Sequence, residues 1–377
     1  MTTAARDCDL LVVGLGPAGA AAAAAAARAG LQVVAVDRRA AVGVPVQCAE
    51  FIPLPIGRHA RPPGVLVQRI AAMTSVLPSG AVQRTDFPGL MIDRARFDQA
   101  LADAARAAGA ELRLHTVLDA LDPGAKRATL HDARGALAIG YRAVVAADGP
   151  HSRSAAALGL PPLETVSTRQ YAAPLRRAYA DTDIWLSPAY PGGYAWLFPK
   201  GDTANLGVGA DPRFAADLKT PLDRLHADLA DAGRVGREIL ARTGGAIPVG
   251  GLRPRLVVQD VAFAGDAAGL THPITGAGIA AAVDSGERAG AAAAAWCTGD
   301  ANAWRDYEQD IRDQYEASLA RAVRRRRWLA RFWSTPAARD DRLHRRGWIA
   351  FREYFDAAAD PALEAGLEAA PPRPLAA

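Results

Sequence analysis

A short apolar strand running straight into a glycine turn constrains this chain more than any other feature. Leu10-Leu-Val-Val is followed directly by GLGPAG, and an alanine-rich helix is expected from about Ala18 to Ala29. A second strand, Gln32 to Val36, then ends in Asp37. Gly14, Gly16 and Gly19 fit the G-x-G-x-x-G pattern, whose glycines allow a tight turn, close approach of a pyrophosphate and close packing of helix on strand. The helix N-terminus that follows offers unpaired N–H groups and the positive end of a dipole to phosphates. Asp37 stands where an acid accepts hydrogen bonds from ribose hydroxyls, so this segment reads as a dinucleotide site. Arg38, beside it, leaves NADP open as an alternative to FAD, because an arginine there can hold a 2′-phosphate.

The rest of the chain bounds the setting. Its 377 residues suffice for two domains or one large composite one, and a net charge of +4 carries no strong polyanion signature. Cys8, Cys48 and Cys297 are too scattered for a disulfide framework or a zinc site, which favours a reducing, cytoplasmic compartment. Asp7 and Asp9 stand where a secretory signal would be basic, so none is expected. The uncharged run from Leu10 to Ala27 reaches membrane-spanning length, yet it contains Gly14, Gly16, Pro17 and Gly19 and is otherwise largely alanine. A soluble protein is the expectation.

Three later segments decide the cofactor by resemblance. Arg94 lies in MIDRARFDQAL at the head of a helix, VVAADGPHSRS ends a strand in Asp148-Gly149, and VAFAGDAAGLTHPITGAGIAAAVDSG carries Asp266, Gly276, Gly278 and Ile279. With the N-terminal turn, these resemble the four marks of the glutathione-reductase-like FAD fold, in the branch shared by aromatic hydroxylases and geranylgeranyl reductases. The resemblance implies that Asp266 binds flavin-side hydroxyls and that the helix opening at Gly276–Ile279 faces the flavin pyrimidine edge. There a dipole's positive end would stabilise the anionic reduced ring. It also places Ala18, Ala49 and Leu118 among the cofactor-binding residues. No second glycine fingerprint follows a strand, so NAD(P)H or a ferredoxin would act only as a transient reductant.

YPGGYAWLFP, from Tyr190 to Pro199, has aromatics at alternate positions between turn residues. Pro191, Tyr194, Trp196, Phe198 and Pro199 match P-x-x-Y-x-W-x-F-P, the mark of the geranylgeranyl reductase family. VGVPVQCAEF, from Val42 to Phe51, resembles that family's P-V-x-C-[GA]-E loop beside the isoalloxazine. The resemblance spans roughly Leu10 to Gly286 and implies reduction of carbon–carbon double bonds in isoprenoid chains. Such a substrate offers no oxygen to polarise, so the site needs shape and dryness. Burial at about 0.8 kcal/mol per CH₂ supplies roughly 15 kcal/mol gross for a twenty-carbon tail, before ordering costs.

The expected fold class is therefore α/β: a glutathione-reductase-like FAD-binding Rossmann domain (1–65, 88–155 and 250–295) with an inserted antiparallel β-sheet substrate domain (66–87 and 156–249). A C-terminal helical region (296–370) follows. Val65 to Asp86 reads as short strands about a Pro-Ser-Gly turn, and Leu222 to Ala241 as a helix over the substrate sheet. Cys48 is the candidate proton donor, with Tyr194 and Trp196 as candidate walls of the slot. Glu50 is read as a turn cap and His272 as a hydrogen-bonding scaffold; no histidine spacing indicates a metal.

The C-terminal run RRRRW, Arg324 to Trp328, with Leu329, Phe332, Trp333 and Trp348, admits two readings. In one, the aromatics pack on the FAD domain beneath long arginines; in the other, a basic amphipathic helix lies on an anionic membrane. Clustered arginines alone do not make a nucleic-acid surface, and none is expected. The tail after Pro371 reads as disordered.

The leading function is an FAD-dependent reductase of an apolar, prenyl-like substrate. The alternative is an FAD-dependent monooxygenase of an aromatic or other small substrate. A flavin halogenase relies on a lysine between the first glycine turn and the DRxxF region, and this chain has none before Lys126. A non-catalytic electron carrier finds no iron–sulfur cysteine cluster to support it.

Overall fold

A computed structural model describes residues 7–356. The tail after Pro371 and the far end of the expected C-terminal region lie outside those residues. Leu10–Val13 is fully buried and pairs in parallel with Val33–Val36 on one side and Ala143–Ala146 on the other. Glu111–Arg113 and Val261–Phe263 extend this sheet outward in parallel, and Val257–Val258 closes one edge antiparallel. The chain order reverses beside the first strand, the position where open α/β sheets bind ligands at their strands' carboxyl ends.

Two helices lie against each other over this sheet. Pro17–Arg28 packs on Ile279–Cys297, and both are built largely from alanine and glycine. A Cβ on Gly286 would stand 2.1 Å from the Ala18 carbonyl oxygen, and one on Gly290 would stand 2.3 Å from that of Ala22. The alanine content is thus a device for bringing helix backbones close, not a substitute for a larger core.

An eight-stranded sheet forms the second layer, in the order Ala241–Pro248, Thr165–Pro174, Thr203–Ala210, Ala195–Lys200, Asp181–Trp185, Leu66–Val76, Val82–Ile92 and Phe51–Pro53. Neighbours are antiparallel except where Asp181–Trp185 meets Leu66–Val76. The expected short strands around Pro78-Ser79-Gly80 are two long ones, because the second continues through Ile92 to pair with Phe51–Pro53. The helix expected to reach Ala241 spans only Lys219–Asp231; Gly233 (φ +66°) ends it, and Val235 turns back to bridge Leu175. Val117–Asp122, Arg127–Asp132 and Gly135–Gly140 form a separate three-stranded sheet.

The C-terminal region packs on both layers. The long helix Ala303–Ala330 buries Trp304, Tyr307, Ile311 and Leu319 in the core of the first sheet. Beyond it, Trp348 and Phe351 pack with Met73, Ile184 and Trp196 of the second sheet. The inward-packing reading of these aromatics therefore holds, with one correction: the later ones pack on the eight-stranded sheet. Arg326, within RRRRW, is buried rather than solvated and donates to Asp211 at 2.9 Å. No helix among the described residues is long and apolar enough to cross a membrane.

Gly290→Val, which forces the two alanine helices apart, is expected to cost about 1–3 kcal/mol. Ala291→Val, on the exposed face of the same helix, should cost only the propensity difference, under about 1 kcal/mol. Denaturant midpoints of the two variants check this.

Candidate functional site

One continuous cavity of about 910 Å³ runs from the first glycine turn to the aromatic strand. Gly14 has φ +97° and a Cβ there would lie 2.4 Å from the Ala147 carbonyl oxygen, so only glycine fits. Gly16 faces open space, where a Cβ would meet nothing within 4 Å. It caps the helix Pro17–Arg28 without a side-chain bond, leaving the first-turn N–H groups for a ligand. Gly19 corrects the expectation: it does not line the cavity, and a Cβ there would strike the Gly14 carbonyl oxygen at 1.8 Å. Its role is packing beneath the turn.

Asp37 lines the cavity and is oriented by two amides, from Leu15 (2.7 Å) and Arg39 (2.8 Å). Ala18, Arg38, Ala49 and Leu118 line it as well. Asp148 accepts from the Ser154 amide and hydroxyl through Oδ2, while its buried Oδ1 has no partner in the protein. At the other end, Asp266 accepts from Thr271 Oγ1 at 2.6 Å, and burial raises its pKa. Gly276 (φ +70°), Gly278 and Ile279 open the helix Ile279–Cys297, again without a side-chain cap. Two uncapped helix N-termini, a glycine-only approach and carboxylates at both ends fit FAD.

Cys48 lines the same cavity. Its Sγ accepts from the Glu50 amide at 3.1 Å, and the Arg94 guanidinium is near enough to act on it electrostatically. Burial disfavours the charge on Arg94, but Asp98, at 2.7 Å from Nε, outweighs it and holds the guanidinium charged. Arg94, expected on the cofactor, thus lines the cavity but directs its guanidinium to protein groups. Glu50 is a buried carboxylate at φ +70° that accepts from the Arg94 amide, Lys200 Nζ (2.7 Å) and Asn205 Nδ2 (2.8 Å). It is more than a turn cap: it ties the Cys48 loop to the hairpin that carries the aromatic strand.

Trp196 and Phe198 lie on one face of the strand Ala195–Lys200, and Tyr194 immediately precedes it; all three line the cavity. The Trp196 indole lies over Gly207, where a Cβ would come within 2.2 Å of the ring. Its Nε1 donates to Gln170 Oε1 at 3.1 Å, and Gln170 Nε2 donates to the Cys48 carbonyl at 2.9 Å. The Tyr194 hydroxyl donates to the Thr275 carbonyl, and burial raises its pKa, so the phenol stays neutral. His272 accepts from the Ile274 and Thr275 amides through Nδ1, and burial lowers its pKa to about 4. It is the expected neutral scaffold.

Sequence reasoning missed Gln170, Lys200, Asn205 and Trp348. The first three are single polar residues in strands with no local signature. Trp348, in the C-terminal segment, lines the cavity and packs edge-on against Tyr194 with ring centroids 4.9 Å apart. Its tryptophan was visible, but nothing local aims it at a strand so much earlier in the chain.

The chain matches the FAD dependent oxidoreductase family over residues 66–282. Digeranylgeranylglycerophospholipid reductase 1 of Methanopyrus kandleri is 34% identical, over 82% of this chain and 88% of its own length. The digeranylgeranylglycerophospholipid reductase of Methanosarcina acetivorans is 33% identical, over 76% of this chain and 74% of its own. A geranylgeranyl bacteriochlorophyll reductase-like protein from Thermoplasma acidophilum superposes with a TM-score of 0.81 at 25% identity, covering 97% of this chain and 96% of that one. The chain is a member of the FAD-dependent oxidoreductases, in the branch that holds the geranylgeranyl reductases.

Proposed function

We propose that this protein reduces carbon–carbon double bonds of an isoprenoid or similarly apolar substrate. The observation that carries the reading is that one cavity is lined both by the dinucleotide-turn residues and by Cys48 with the apolar side chains of Phe51, Phe87, Trp196 and Phe198. Bound reduced FAD would supply the hydride, from N5. Everything else falls to the chain's own residues. The aromatic walls hold the alkene by shape and exclude water. Cys48 Sγ delivers a proton to the second alkene carbon, and the thiolate left behind is stabilised by the Arg94 guanidinium and the Glu50 amide. Gln170 fixes the backbone of Cys48 relative to the indole. The relatives' names, which are those of prenyl-lipid reductases, support an isoprenoid chain as the substrate class.

In the same proposal the first sheet with its helices serves the cofactor, the eight-stranded sheet serves the substrate, and NAD(P)H or a ferredoxin reduces the flavin transiently. Exposed Arg324 and Arg327 on the long helix, with exposed Arg331 just past its end, offer a basic face to an anionic membrane, which suits a cytoplasmic enzyme drawing on a lipid.

Dithionite-reduced protein mixed anaerobically with prenyl lipids is expected to reoxidise its flavin and yield a product heavier by two hydrogens. Product that forms only in air, with stoichiometric oxygen consumption, would overturn the reading in favour of monooxygenation. Cys48→Ser is expected to slow anaerobic reoxidation by about 10²–10⁴, the usual contribution of a positioned acid, with flavin content unchanged. Stopped-flow absorbance reads both quantities.

A further inference from the structure

We propose that Trp348 ends the substrate slot and so determines how much chain beyond the reacting double bond the enzyme accepts; this rests on the reductase reading above. Trp348 is 3% exposed and held from two directions. Its Nε1 donates to Ser75 Oγ at 3.0 Å, on a fully buried residue of the strand Leu66–Val76, and its ring packs against Tyr194. A tryptophan with its N–H satisfied and its ring edge engaged is a fixed wall.

The wall has a void behind it. A second, small cavity of about 30 Å³ is lined by Leu186, Leu329, Trp333 and Gly347, among others. Trp348, Tyr194 and Ile274 line both this void and the main cavity, as do Gly192, Gly193 and Arg326. These residues are therefore the partition between the two spaces. Tyr194 is tied to Thr275, and Arg326 to Gly192 and Asp211. Trp348 is the largest apolar side chain among them, and its removal would join the void to the slot. Beyond the shared partition the extra room is lined by Leu186, Leu329, Trp333, His344 and Gly347, a mostly apolar set that suits more hydrocarbon.

Close packing sets where the wall stands. A Cβ on Gly347 would lie 2.5 Å from Leu329 Cδ1, so the glycine lets the segment tuck beneath the long helix. The C-terminal helix that leads to it is also strapped to the substrate sheet, where the Ser79 amide donates to Asp341 Oδ1 at 3.0 Å. The C-terminal region thereby contributes to substrate choice.

The test uses the FAD-loaded full chain, as wild type, Trp348→Phe and Trp348→Ala, with geraniol, farnesol and geranylgeraniol as probes. Anaerobic kcat/KM is measured for each, and calorimetry gives the Kd of the three fully hydrogenated alcohols, which cannot turn over. Trp348→Ala is expected to raise the preference for the longest chain over the shortest by about tenfold, the equivalent of roughly two more buried methylenes. Trp348→Phe should shift it less and in the same direction. Equal effects on all three chains, or an unchanged ratio, would overturn the proposal; so would loss of folded, flavin-bearing protein in both variants, which would make Trp348 a residue of the fold alone. If wild type reoxidises with no prenyl alcohol, the reductase reading fails, while the affinities for the hydrogenated chains still decide whether Trp348 bounds the slot.

Discussion

The site depends on one buried carboxylate. Glu50 is 4% exposed, sits at a backbone angle unusual for a residue with a side chain, and is compensated by an amide, an ammonium and a carboxamide drawn from two different parts of the fold. A buried charge is tolerated only when its oxygens are so occupied, and removing one partner of such a pair typically costs about 3–5 kcal/mol. The Arg94 amide belongs to the cofactor side, whereas Lys200 and Asn205 belong to the aromatic hairpin. The carboxylate therefore fixes the distance between the two halves, and the strained turn it stabilises is the one that presents Cys48.

Gln170 performs the finer adjustment. A single carboxamide accepts from the indole of Trp196 and donates to the backbone of Cys48, so the aromatic strand and the Cys48 loop are parts of one hydrogen-bonded unit. The fixed dipole of an amide suits this use, because it can satisfy one donor and one acceptor at once without adding charge to an apolar site. Arg94 and Asp98 complete the arrangement from the other side, where the carboxylate neutralises the buried guanidinium.

The C-terminal region changes meaning once its packing is known. Four consecutive arginines read as a solvated or membrane-facing run, yet Arg326 is turned inward onto Asp211 and the Gly192 carbonyl, just ahead of the aromatic strand. Helical geometry makes this unavoidable: along a helix packed on a globular core, one residue in every three or four faces inward, whatever its neighbours are. Of the aromatics beyond the run, Trp348 and Phe351 pack against the eight-stranded sheet instead of the first one.

The residues at both ends of the dinucleotide cleft were legible from the chain alone, because glycine turns, helix starts and strand-end acids are local features with local causes. Gly14, Asp37, Asp148, Asp266 and Gly276 all line the cavity for that reason. The aromatic strand and the Cys48 loop were legible as family marks, since period-two aromatics between turn residues are unusual for a core. Only the tertiary structure decided which polar residues hold these pieces together. Glu50 to Lys200, Gln170 to Cys48 and Trp348 to Ser75 join positions 122 to 273 residues apart. Such contacts leave no periodicity in the chain, because each is one side chain reaching another across a fold that must already exist.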